Sequence, residues 1–289
     1  MIRPILLRLR GSVATLAALS LLGAPALEGQ RPQESPSPGA LAPGLPDTLR
    51  PMARATALGS VDRLYDAFDP RASLAAADAL LESDPEDYEV LWRASRAAVV
   101  LGSLAEEEDV QDAWFLRGAG YGERAMALRP EGVEALYWLG ASKGRLALQQ
   151  GPRTTAALAQ EVYDLAHRVL TLDSLHAGGH NILGKLNYEV MTLTAFERFL
   201  ARLILGNEAL RSASWELAEH HFSRSLVSEP EVVLFHFDLG KMYLAQGRLE
   251  EARDAFLALL DLPDRHPPDP GWKAETRRLL ADVQRRLGR

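Results

Sequence analysis

Leu239-Gly240-Lys241-Met242-Tyr243-Leu244-Ala245-Gln246-Gly247-Arg248-Leu249-Glu250-Glu251-Ala252-Arg253-Asp254-Ala255-Phe256-Leu257-Ala258-Leu259-Leu260-Asp261-Leu262-Pro263 is the stretch that decides the fold. It reads as two amphipathic helices joined at Gly247, a residue that tolerates the positive φ of a helix end. Gly240 and Ala252 are small, so the two antiparallel helices can approach closely. Tyr243 and Phe256 are large and fill the space left over. Pro263 lacks an N–H and stops the second helix.

Outward from here the same punctuation recurs at Asp84-Pro85, Arg129-Pro130, Asp173-Ser174 and Glu229-Pro230. From Glu229-Pro230 to Leu262-Pro263 the spacing is about 33 residues, close to the roughly 34 of a tetratricopeptide (TPR) unit. The pattern of small and large residues resembles that repeat. Such a unit cannot bury its apolar face alone and must stack on neighbours. The preceding unit has Leu183-Gly184 in place of Leu239-Gly240, then Trp215, Ala218, Phe222 and Pro230, with about 22 residues too many between them. The excess, Leu193 to Ser212, carries Phe196, Phe199, Leu200, Leu203 and Ile204 at helical spacing, which predicts an inserted helix. Looser units open at Trp92 and at Leu139-Gly140. The first, near Arg54 to Pro85, is short and Ala-rich. Trp272 to Leu287 has Leu279, Leu280, Val283 and Leu287 on one face and reads as a capping helix. The sequence therefore predicts an all-α, TPR-like superhelix of about five hairpins, with an inserted helix and a C-terminal cap.

His180-Asn181-Ile182-Leu183-Gly184-Lys185-Leu186-Asn187-Tyr188-Glu189-Val190, followed by Phe196-Glu197-Arg198, Leu205-Gly206, Leu239-Gly240-Lys241 and Leu262-Pro263, resembles the regulator of microtubule dynamics family. The likeness spans roughly Asp84 to Val283 and is a match of whole pattern. It implies TPR-like helices and, for a chain inside a eukaryotic cell, association with microtubules; export from a bacterium removes that implication. It brings no catalytic residues with it.

Arg3, Arg8 and Arg10, the apolar run Ser12 to Leu22 and Ala24-Pro25-Ala26 have the layout of an export signal, residues 1–26. The run is shorter than the ~20 residues a membrane-spanning helix needs. A Pro-rich linker follows over 27–53, and the repeat domain over 54–289. This predicts a periplasmic or secreted protein; in a eukaryotic source the Arg-rich start reads instead as a mitochondrial presequence. Without the three signal arginines the net charge moves from −7 to about −10, which argues against nucleic acid as partner. With no cysteine there is no thiol chemistry.

The inner wall of a TPR stack comes mainly from the first helix of each hairpin. The resemblance to other TPR domains places Tyr137, Arg145, Asn181, Lys185, Tyr188, Glu189, Phe237 and Lys241 there. Lys185 and Lys241 hold the same repeat position, and two aligned ammonium groups beside Asn181 suit an acidic group or a peptide C-terminal carboxylate. His176, His180, His220 and His221 invite a metal reading, but His180 and His236 share a repeat position where large side chains pack, so no metal is assigned. Gly118-Ala119-Gly120-Tyr121-Gly122 lacks the strand and Lys of a phosphate loop and reads as close helix contact. Glu106-Glu107-Glu108-Asp109 follows Ser103, which predicts a capping box. The 194–205 helix predicts packing on the solenoid, with membrane contact as its rival. No motif marks a catalytic centre and no cofactor is expected. The expected function is a non-catalytic scaffold holding a peptide or protein in a concave groove. The alternative is a small-ligand-binding periplasmic TPR module serving transport or envelope machinery; an enclosed apolar pore favours the second, an open groove the first.

Overall fold

A computed structural model describes residues 50–195, 197–198 and 208–288. These belong to one compact unit. The expected export signal, most of the linker, and the apolar residues Phe196, Phe199, Leu200, Leu203 and Ile204 lie outside the described residues.

Twelve helices are described: α1 Arg50–Asp66, α2 Pro70–Ser83, α3 Tyr88–Leu104, α4 Glu108–Leu128, α5 Val133–Ala147, α6 Pro152–Leu172, α7 Ala177–Thr192, α8 Glu208–Ser212, α9 Trp215–Ser228, α10 Val233–Ala245, α11 Leu249–Asp261 and α12 Asp269–Leu287. Successive helices pair into five hairpins, α1/α2, α3/α4, α5/α6, α7/α9 and α10/α11, with α12 behind the last. The first helix of each hairpin also touches the first helix of the next, and α10 touches α12 in the same way. The row α1, α3, α5, α7, α10, α12 therefore forms the inner wall and the remaining long helices the outer one. The fold is the expected all-α TPR-like solenoid.

The last two hairpins pack as a ring in a notch. A Cβ added to Gly240 would stand 2.4 Å from the Phe256 ring, and one on Gly184 2.6 Å from the Phe222 ring. Both rings are wholly buried. Real Cβ atoms do not come this close, so glycine at this inner-helix position is what lets the outer-helix phenylalanine seat. Ser95 occupies the same register in α3, where its hydroxyl donates to the Gly118 carbonyl at 2.8 Å. Of the Gly118–Gly122 segment, Gly118 meets Ser142 and Val99, and Gly122 meets Leu139, as close helix contact requires; Gly120 faces open space.

Turns repeat as well. In the last hairpin Gly247 takes φ +74 and the Arg248 N–H donates back to the Tyr243 carbonyl. In the first hairpin the Asp69 N–H donates to Leu64 in the same pattern, but the left-handed residue is Phe68, at φ 65. A side chain there costs about 1–2 kcal/mol. The capping box expected at Ser103 is not formed: α3 runs on to Leu104, and Ser103 donates to its own helix at Val99. The valine and leucine run of α3 carries the helix past the serine. A reciprocal cap appears at Thr194 instead, whose N–H donates to Glu197 while the Glu197 N–H donates to its hydroxyl. This cap stands where the sequence predicts the inserted helix to start.

Gly240→Ala is expected to lower stability by about 1–3 kcal/mol, because the Phe256 ring must leave its seat. Gly120→Ala is expected to raise it by about 0.5–1 kcal/mol. Urea unfolding of the two variants beside the parent protein measures both; equal effects would remove the ring-in-notch account. Phe68→Gly is expected to stabilise by about 1 kcal/mol in the same assay.

Candidate functional site

The inner wall is laced by charges that bridge one inner helix to the next. Asp62 of α1 pairs with Arg93 at 3.0 Å and Arg96 at 2.8 Å of α3. Asp238 of α10 pairs with Lys185 of α7 at 3.0 Å, and Asn181 donates to it at 3.3 Å. Glu275 of α12 stands 3.9 Å from Lys241 of α10. Arg54 of α1 forks onto Asp87, at 2.6 and 2.7 Å, while Asp87 also caps α3. Burial works against the Lys185 ammonium, but the carboxylates of Asp238 and Glu189 outweigh it and hold its pKa above the ordinary lysine value.

These contacts give the surroundings of the residues singled out in the sequence. Lys185 and Lys241 do share a repeat position, and each ammonium faces a carboxylate of its own chain, Asp238 and Glu275. Asn181 and Phe237 are buried, at 7% and 2% exposure. Asn181 is engaged by Asp238, and Phe237 lies under Trp272 with ring centroids 5.1 Å apart. Tyr137, Tyr188 and Glu189 remain partly exposed on the wall. Glu189 sits 3.4 Å from Lys185.

Arg145 stands apart. It is partly exposed on α5, and its side chain has no ion pair or hydrogen bond among the described residues. Its guanidinium lies 5.6 Å from the centre of the Trp272 ring, so α5 meets α12 across the concave side. Burial pushes the nearby Tyr137 hydroxyl up, while Arg145 works in the opposite direction. At the other end of the wall the Arg96 guanidinium stacks 3.9 Å over Tyr65, whose hydroxyl burial pushes up to about 12.

The sequence reading missed Arg96, Asp238, Tyr65 and Trp272. Counting from each helix start puts Arg96 in register with Lys185 and Lys241, a signal that was legible. Trp272 was not, because nothing in the sequence says that α12 takes an inner-wall place.

The histidines divide. His180 and His236 do the same work: the Nε2 of each meets the carbonyl six residues earlier, Ser174 at 3.2 Å and Pro230 at 2.8 Å, latching the preceding turn. His180 also meets His221 of α9, Nδ1 to Nδ1 at 3.0 Å. Among the described residues no group of three His, Cys, Asp or Glu has the geometry to hold a metal.

The solenoid and its charged inner wall define a TPR-like helical-repeat protein. The sequence profile of the regulator of microtubule dynamics protein 1-3 family matches residues 57–284, and the chain belongs to that family. Regulator of microtubule dynamics protein 3 of Mus musculus is similar at 24% identity over 190 residues, 65% of this chain and 40% of that protein. The Rattus norvegicus protein of the same name gives the same figures. The chain thus spans about two fifths of the length of the curated relatives it matches. Among solved structures, a thermophilic TPR protein of Thermus thermophilus superposes with a TM-score of 0.56 at 18% identity, covering 78% of this chain and 98% of that one.

Burial lowers His180, and it lowers His221 to about 4, where His180, His220 and His167 add to the effect. Both folded values lie below the ordinary ~6.5, so the unfolded chain takes up protons first as pH falls. The stability from keeping the pair neutral is complete above about 6.5 and drains away toward pH 4. Melting temperature is expected to fall over that window more steeply in the parent than in His221→Gln; parallel slopes would mean the pair is not linked to folding.

Proposed function

We propose that the chain is a non-catalytic protein-interaction scaffold whose inner wall binds an extended peptide segment of a partner. An acidic side chain or C-terminal carboxylate of that segment docks on Arg145. The observation that carries the reading is the contrast along the wall: Arg96, Lys185 and Lys241 each have a carboxylate of their own chain, and Arg145 has none among the described residues. A guanidinium beside an aromatic ring offers a forked, partly desolvated site for a carboxylate. Tyr137, Tyr188 and Trp272 supply flat surface along the same wall. Glu189 and the paired Lys185 and Lys241 set the polarity around it.

The same wall disfavours the small-ligand alternative. An apolar solute needs an apolar enclosure, and the centre of this wall carries Arg145, Lys185, Asp238 and Glu189. The basic, apolar and small-residue order of 1–26 supports export to the periplasm or beyond. The name of the mouse and rat relatives speaks of microtubule dynamics; an exported chain would act apart from microtubules. The mass of the mature N-terminus measured on protein recovered from cells tests the address.

Arg145→Glu is expected to weaken binding of an acidic peptide at least tenfold, the loss of a charged hydrogen bond of about 1.5–3 kcal/mol, with the melting temperature unchanged. Lys185→Met should act the other way round. It strands the buried Asp238 carboxylate, which costs about 3–5 kcal/mol of stability. The binding measurement is fluorescence anisotropy with a library of acidic peptides, free-acid and amidated. If no peptide distinguishes Arg145→Glu from the parent, the docking role is wrong.

A further inference from the structure

The outer face carries a second surface, independent of the inner wall. A groove of ≈ 440 Å³ runs between α2 and α4, lined by Asp78, Leu81, Glu82, Arg117, Tyr121 and Arg124. Above it Arg71 and Arg117 stand 5.6 and 5.5 Å from the centre of the Trp114 ring, one from each helix. Arg117 is held in place by Asp78 at 2.6 Å and by the Tyr121 hydroxyl at 3.0 Å. Arg124 donates to the Pro85 carbonyl at 2.6 Å, and the Arg71 side chain has no polar partner among the described residues. All three arginines are exposed. They form a locally positive strip, three guanidiniums against two carboxylates, on a chain whose net charge is −7.

The same chain carries the complement. Glu106, Glu107, Glu108 and Asp109 cross the α3–α4 turn, are exposed, and have no ion pair among the described residues. Their mutual repulsion is felt next door: burial, Asp109 and Glu108 together raise the Asp112 carboxyl above its ordinary value. Within one copy neither Arg117 nor Arg124 can reach these carboxylates. From Glu108 to Arg117 and Arg124 is 9 to 16 residues along a single helix, about 14–24 Å at 1.5 Å per residue. That is beyond contact and past the ~10 Å screening length of about 0.1 M salt.

We infer that the groove between α2 and α4 receives the acidic α3–α4 turn of a second copy of this chain. The carboxylates of the incoming turn meet Arg71 and Arg124 at the groove's rim, while Arg117, already pinned by Asp78, presents its remaining N–H groups. The contact joins two different patches, so it builds closed or open assemblies according to whether the rotation closes. Being electrostatic and exposed, it weakens steeply with salt.

Sedimentation velocity of the full mature chain tests this. The native protein is expected to exceed a one-chain mass at low ionic strength and to return to it in about 1 M salt, where the screening length is about 3 Å. Reversing the turn (Glu106→Lys, Glu107→Lys and Glu108→Lys together) is expected to abolish association, and so is reversing the groove (Arg71→Glu with Arg124→Glu). Mixing the two variants is the decisive arm. Each keeps the half the other has lost, so the mixture is expected to form a complex that neither forms alone. The turn variant alters only exposed side chains, and circular dichroism checks that both variants keep their helices. A one-chain mass for the native protein at every concentration at low salt overturns the inference. Association that survives both reversals, or a mixture that stays at one-chain mass, overturns it as well.

Discussion

The close approach of inner and outer helices on which this solenoid depends is set, in its last two hairpins, by a phenylalanine ring from an outer helix entering the gap left by a glycine on an inner one. Phe256 over Gly240 and Phe222 over Gly184 fix how near the two helices of a hairpin stand. That nearness sets the spacing between hairpins, because the next inner helix rests on the surface the pair creates. A hairpin by itself would leave one face of this assembly wet, and the stack removes it from water. The buried leucines, valines and alanines run through the hairpins in clusters that join one helix pair to the next.

Once the inner helices lie side by side, their polar residues must find partners. Asp62, Asp238 and Glu275 each answer a cation on a neighbouring inner helix. Such pairs contribute modestly where they are exposed, but the Asp238 carboxylate, 5% exposed, is costly to leave alone. The ladder therefore locks the order of the inner wall as well as decorating it. Arg145 is the gap in that ladder, and its place opposite Trp272 follows from α12 continuing the inner row.

Much of the fold was legible. The Gly–Phe spacing, the prolines after four of the five hairpins and the apolar stripe of the last helix each correspond to an observed feature. Ser103 misled because a capping signature is local, and the leucine and valine run around it carried the helix on. The candidate wall was legible only as a set of positions. Register alone puts Asn181, Lys185, Phe237 and Lys241 on inner helices, but it does not say which of them point at a neighbour. Asn181 and Phe237 turned out to be covered, and Lys185 engaged, by residues on other helices far along the chain.

The sequence by itself determined the repeat, because helix periodicity and the alternation of small with large residues act over a few turns of chain. It also determined the family, the acidic balance and the order of hairpins. Only the tertiary structure decided which cations are neutralised, that α12 closes the inner row, and that His180 meets His221. Those outcomes are set by distances between segments far apart in sequence. A Coulomb or van der Waals contact depends on that separation in space, and no local pattern encodes it.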